Sequence, residues 1–248
     1  MDEFNFKAHR EQICSEMKKN NLLIVNDVGY DLKSSVDALD IELGEGFEHY
    51  AFGGVHPHYA EKTMDCEIDE LEILLKKGRF SGVGEVGIDR WWHKDEVVIE
   101  RQKEVFEKQL DIASRLSLPV MLHVRNAYEE AFEILDNYKN LTVEFHSFTG
   151  TTQELEHICE KNYYFGINGV VTFKNTHLKE SIKREHINLL LIESDAPYLS
   201  PVPYRGKRNM PYYIVETYKA LSSILDIDLE KLKETVRYNF YDFISKEY

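Results

Sequence analysis

Glu85, His123, His146 and Asp195 each close a short apolar run: "FSGVGEVGID" from Phe80, "LPVMLHV" from Leu118, "LTVEFHSF" from Leu141 and "LLLIESDA" from Leu189. Two carboxylates and two imidazoles brought to one place make a ligand set for a divalent ion that activates water, with mixed nitrogen and oxygen donors suiting Zn²⁺, Mn²⁺ or a similar metal. Taken singly, each has a plainer explanation. A strand histidine is commonly a hydrogen-bonded structural group, and an Asp before a turn is commonly a cap. Glu85, between glycines in a run that reads as buried, is the most telling of the four, because an unpaired buried carboxylate is costly. His56 and His58 close a further run, "YAFGGVHP" from Tyr50. Of these, His56 is expected to line the site, while Asp89 and Trp91 either shape its mouth or pack. His9, His49, His93, His157, His177 and His186 lie in polar stretches and are expected in solvent.

Residues at the ends of several strands meet only if the strands run side by side. Seven apolar runs recur along the chain, the remaining three beginning at Leu22, Tyr50 and Tyr163. Several are continuous rather than alternating, as in parallel strands buried on both faces. Helix-like segments lie between them. "ERQKEVFEKQLDIASRL" puts Val105, Phe106, Gln109, Leu110, Ile112 and Ala113 on one stripe, and "NAYEEAFEILDNY", "TTQELEHICEKN", "LEKLKETVRYNFYDFI" and, more weakly, "SVDALDIEL" read the same way. This alternation over 248 residues predicts a single α/β domain, residues 1–248, folded as a (β/α)₈ TIM-type barrel. A doubly wound open sheet is the second choice. The count is one strand short of eight. The chain opens on a helix-like segment, "FKAHREQICSEMKKN", with no strand before it.

Composition narrows the function. Charged residues make up 30% and hydrophobic ones 43%, as in soluble globular proteins, and no apolar run reaches the roughly 20 residues of a membrane span. The N-terminus carries no apolar signal core. Three scattered cysteines (Cys14, Cys66, Cys159) fit a reducing, cytoplasmic setting and no disulfide framework. A net charge of −14 argues against a high-affinity nucleic-acid coating protein, though not against an enzyme that meets nucleic acid through a local cationic patch.

"GVHPH", "GEVGID", "LPVMLHVR", "HSFTG" and "IESDAPYLSPVPYRGKRN" resemble, in order and spacing, the motifs of the TatD-type metal-dependent deoxyribonucleases, a branch of the amidohydrolase-like barrels. "YNFYDF", with Asn239, is similar to that family's closing helix. The resemblance covers essentially the whole chain. It implies a phosphodiesterase trimming DNA from a 3′ end with two divalent ions (Zn, Mg or Mn). By the same resemblance Glu85 is the metal-bridging carboxylate, His123 and His146 bind one ion, and Asp195 binds the other and handles the proton of the attacking water. Arg125, Arg205 and Arg208 are expected to contact phosphate, in a monomer. The family also begins with a strand ending in His-x-His, which has no counterpart ahead of "MDEFNF" here. Either the start lies upstream of Met1, which is the favoured expectation, or the chain lacks that strand and holds one ion through Glu85, His123 and His146. Three functions compete on this reading: a DNA phosphodiesterase, a metal hydrolase of another ester or amide, and a degenerate, non-catalytic barrel. The basic "YRGKRN" favours the first over the second, and the absent His-x-His favours the third over both.

Overall fold

A computed structural model describes residues 6–245 of the protein, with side chains from residue 9; Met1–Asn5, most of "MDEFNF", lie outside the described residues. Seven strands form one parallel sheet in chain order: β1 (Ile24–Val28), β2 (Glu48–Gly53), β3 (Gly82–Asp89), β4 (Val120–Arg125), β5 (Val143–His146), β6 (Tyr164–Ile167) and β7 (Leu190–Ile192). They are the seven runs read from the sequence. Among the described residues β1 and β7 each pair on one side only. The helices are α1 (Phe6–Lys19), α2 (Leu32–Leu39), α3 (Asp65–Leu75), α4 (Glu96–Leu116), α5 (Tyr128–Leu135), α6 (Thr152–Glu160), the short α7 (Leu178–Ser181), α8 (Ile214–Leu225) and α9 (Leu229–Ile244). None is long and apolar enough to cross a membrane. All three cysteines are free thiols.

Successive strand side chains point to opposite faces, and the two faces pack into two separate clusters. The larger one joins Val120, Leu122, Val143, Phe145, Phe165, Ile167 and Leu190 to the helices outside the sheet. The smaller one holds the intervening residues: Phe52 of β2, Met121 of β4, Tyr164 of β6 and Leu191 of β7, closed by Phe243 of α9. Side chains from strands so far apart meet only because the sheet curls around them, as in a barrel of this type. Phe243 stacks on Phe52 with ring centres 5.8 Å apart and sits 5.4 Å from Tyr164, so α9 plugs the bottom of the cylinder. Asn239 fixes α9 in place by donating from its amide to the Ile187 and Leu190 carbonyls, both at 2.8 Å.

Above this apolar floor the inward positions turn polar. The β4–β5 register sets Met121 opposite Glu144 and His123 opposite His146. One step up the same faces, floor becomes site. Two glutamines of α4, part of its otherwise apolar stripe, serve the same end. Gln109 accepts from the Val55 N–H at 2.7 Å and donates to the Val55 carbonyl at 3.1 Å, pinning the loop that carries His56. Gln102 accepts from the Asp89 N–H at 2.9 Å, at the end of β3. Gly87 makes β3 possible. Its φ is +143°, and a Cβ there would lie 2.2 Å from the His123 carbonyl oxygen, so only glycine lets β3 and β4 approach closely enough to pair.

Candidate metal centre

The strand ends bring Glu85 and Asp195 to one imidazole, that of His146, while His123 lies apart from it against Asp89. His146, at the end of β5, points Nε2 at Glu85 Oε1 (2.9 Å) and at Asp195 Oδ1 (3.7 Å). Its Nδ1 stands 2.5 Å from Oε2 of Glu193. Glu193 was not among the residues singled out from the sequence, although it lies two positions before Asp195 and so shares its face. Its Oε1 accepts the Ser147 N–H at 2.6 Å, which anchors the carboxylate that orients His146. Burial works against a charged imidazole, but the carboxylates of Glu193 and Glu85 outweigh it and hold His146 well above its ordinary value. For Glu85, burial pushes the carboxyl up. The charge and hydrogen bond of His146, with His56 and His123 beyond, more than reverse this and keep it far below the usual carboxylate range.

A second knot lies beside the first. Asp89, buried at the end of β3, accepts from His58 Nε2 at 2.8 Å and from His123 Nε2 at 3.0 Å, both on Oδ2. Its Oδ1 accepts the backbone N–H groups of Trp91 (2.8 Å) and Trp92 (2.7 Å). The side chain read from sequence as packing or mouth-shaping therefore holds two imidazoles and a turn. His56 joins the knots: its Nε2 is 3.5 Å from Glu85 Oε2, and its ring sits edge-on to His123 with centres 4.3 Å apart. Burial, reinforced by the neighbouring His123, pushes His56 down to about 3 and keeps it neutral.

Asp195 carries a left-handed φ of +54°, a conformation aspartate tolerates better than most residues, and its carbonyl accepts the Tyr198 N–H at 2.8 Å. It is thus a turn former as well as a site residue. The loop behind it is strapped down by Asn209, whose amide donates to the Ser194 and Tyr198 carbonyls, both at 2.6 Å. Of the expected phosphate contacts, Arg125 lies over the Trp91 ring, 4.8 Å from its centre, and Arg205 over Phe173 at 4.2 Å. Arg208 is exposed on the same loop as Arg205. Several histidines expected in solvent are not free of the fold; His49 Nε2, for one, lies 3.0 Å from Asp27 Oδ2. His186 is buried and accepts the Lys183 N–H at 3.3 Å, and His177 bonds the Gly150 carbonyl at 2.6 Å. Both serve loop closure, a role their polar neighbours in sequence conceal.

Among the described residues, three clusters bring ligand atoms within 4.8 Å of one another: His56–Glu85–His123, His58–Asp89–His123 and Glu144–His146–Glu193. Carboxylates and imidazoles interleaved, with Glu85 meeting histidines as its partners, form a donor set of the kind divalent metals take. Glu144 is the outlier. Burial, then the charge of Glu193, push its carboxyl up to about 8, so it is held as the neutral acid at pH 7. A carboxyl whose native value lies above its unfolded one contributes stability that is complete below about 4.5 and lost as pH rises through about 8. In chelator-treated protein, the thermal midpoint of Glu144→Gln is therefore expected to fall less steeply between pH 6 and pH 9 than that of the parent. At roughly 2–4 °C per kcal/mol for a chain of this length, the difference is resolvable by scanning calorimetry. Parallel curves would show that Glu144 does not titrate there.

Comparison with known proteins bears on the fold and the family. A crystal structure of YjjV, a TatD homologue from Escherichia coli K12, superposes with a TM-score of 0.89 at 23% identity, covering 98% of this chain and 94% of that one. The chain is 31% identical over 226 residues to YabD, an uncharacterized metal-dependent hydrolase of Bacillus subtilis, covering 90% of this chain and 87% of the relative. It is 34% identical over 257 aligned positions to the Mycoplasma genitalium uncharacterized metal-dependent hydrolase MG009, covering 95% and 96%. The family model for TatD related DNase matches residues 1–245. With the family model spanning residues 1–245 and two relatives above 30% identity over most of their length, the chain belongs to the TatD-related DNase family of metal-dependent hydrolases.

Proposed function

We propose that this protein is a divalent-metal-dependent phosphodiesterase that removes nucleotides from a 3′ end of DNA. The observation that carries the proposal is the convergence of Glu85 and Asp195 on Nε2 of His146, at the rim of a barrel whose family is named for DNase activity. Glu85, His123, His146 and Asp195 would hold metal, one or two ions, with His56 beside Glu85. Such ions supply an activated water and neutralise charge on the phosphate.

The remaining work falls to side chains of the chain itself. Asp195 takes the proton of the attacking water. Glu193 keeps His146 turned toward Glu85, and Asp89 does the same for His123. Arg125, beside His123 on β4, and Arg205 and Arg208, on the loop after β7, present planar cations to phosphate oxygens. The test compares a 5′-labelled single-stranded oligonucleotide with carboxylic ester, lactone and amide substrates in Mg²⁺ and in Mn²⁺, alongside metal analysis of the purified protein. A ladder shortening from the 3′ end, with ester and amide turnover at background, is the expected result. Preferential ester hydrolysis would move the protein to another metal-hydrolase activity. No turnover, with less than one equivalent of metal, would make it a non-catalytic barrel.

A further inference from the structure

Two adjacent indoles stand in solvent at the mouth of the site. Trp91 and Trp92 are 57% and 68% exposed, and they are the chain's only tryptophans. Exposing two indoles is costly for a monomeric protein unless they meet something. They are not loosely placed. Both backbone N–H groups are held by Asp89 Oδ1, the same carboxylate that grips His58 and His123. The Trp92 ring lies over His58 with centres 5.4 Å apart and planes at 30°, and His58 in turn is 4.5 Å from His56. Trp91 carries the Arg125 guanidinium on its ring. The indoles are therefore rigid extensions of the metal-centre walls, pairing a flat apolar surface with a cation suited to phosphate.

The overall charge makes such a surface useful. At −14 the body of the protein repels a polyanion, so affinity for DNA cannot rest on long-range attraction. Base–aromatic stacking is short-ranged and independent of sequence, since every base has a π-face. A base can reach an indole only when it is out of its duplex partner's stack. Resting on the phosphodiesterase reading above, we propose that Trp91 and Trp92 form a base-stacking platform that seats the unpaired bases next to the scissile phosphate and sets the preference for base-bearing, single-stranded ends.

The experiment compares pentathymidylate with a five-residue abasic oligomer of equal phosphate count, using the metal-loaded protein. Tryptophan emission, which comes from these two residues alone, is read within the first milliseconds of mixing. It is expected to quench on binding pentathymidylate, with an affinity about 5-fold to 150-fold tighter than for the abasic oligomer, the range corresponding to one stacked base. In steady state, Trp91→Ala and Trp92→Ala are expected to narrow the ratio of abasic to thymidylate KM, and Trp92→Phe to preserve most of it. Equal affinity for the two oligomers, or variants that raise both KM values in the same proportion, would overturn the platform. The latter is what a merely structural role would produce. A protein that cleaves neither oligomer yet binds the base-bearing one more tightly keeps the platform and loses the phosphodiesterase reading. One that cleaves both with the same KM keeps that reading and loses the platform.

Discussion

Glu85→Gln and Asp195→Asn are each expected to lower 3′-end trimming of single-stranded DNA by about 10²–10⁴-fold, the range by which a positioned proton acceptor or its loss changes a rate. Both substitutions keep size and hydrogen-bonding capacity, and both side chains meet the same imidazole nitrogen, at 2.9 Å and 3.7 Å. Their failures should nonetheless differ. Asp195 sits at the outer end of the site, in a turn, and its loss should fall on kcat, costing at most the ion it helps to hold while the ion held by Glu85, His123 and His146 is retained. Glu85 lies deeper, within reach of both His146 and His56, and its loss should strip metal as well. The two should also be strongly non-additive, since residues that act as one unit lose the unit together. Measuring kcat, KM and metal content on the two single variants and the double variant separates these outcomes. Full activity in either variant, with the fold intact by circular dichroism, would remove that residue from the mechanism.

How much of this site could be read beforehand depended on where parity along a strand survives. Asp195, His146 and His123 announce themselves because a polar residue of the right type ends an apolar run. Glu193 is legible by the same rule, two residues before Asp195 and on its face, yet within "IESDAP" it reads as just another charge near a turn. Asp89 is different. The β3–β4 pairing shifts register between Val83 and Val86, so counting alternate residues along β3 cannot tell which way Glu85 and Asp89 point. Only coordinates show Asp89 buried between two imidazoles rather than idle at the rim.

The fold was more readable than the site. All seven strands follow from continuous apolar runs, and α4 from its stripe. The segments that became α3 and α8 did not stand out. In α3, Ile68, Leu71 and Leu75 are buried at helical spacing, but Ile73 remains exposed beside them and blurs the stripe. In α8 the buried positions include Thr217 with Leu221 and Leu225, so one third of the stripe reads as polar. The second glutamine of α4 has the same lesson in reverse: Gln102 looks like a surface residue in the sequence and instead holds the backbone of Asp89.

Asp89→Asn and Asp89→Ala should part company more sharply than any other pair of substitutions at one position. In Asp89, Oδ1 serves the Trp91 and Trp92 N–H groups and Oδ2 serves His58 and His123. An asparagine can keep its carbonyl oxygen toward the turn and offer its amide to imidazole nitrogens that switch tautomer. Alanine can do neither, and leaves two backbone donors and two half-buried rings without their shared partner. Leaving a buried donor or acceptor unsatisfied costs about 1–3 kcal/mol per group, so Asp89→Ala is expected to unfold at a much lower temperature, while Asp89→Asn keeps most of the stability. Asp89→Asn should still weaken metal binding by about 10–100-fold, as loss of an outer carboxylate behind a histidine ligand typically does. Burial raises the Asp89 carboxyl, and the bonds from His123, His58 and the Trp92 N–H override it, leaving it ionised well below the normal range. Its stabilising contribution is therefore complete above about 3.8 and is lost only as pH falls below that. The part of the stability gap between parent and Asp89→Ala that comes from this carboxylate should therefore narrow as pH falls below about 3.8, which calorimetry at pH 5, 3.5 and 2.5 would check. A gap that stays the same down to pH 2.5 would show that the Asp89 carboxylate does not carry it.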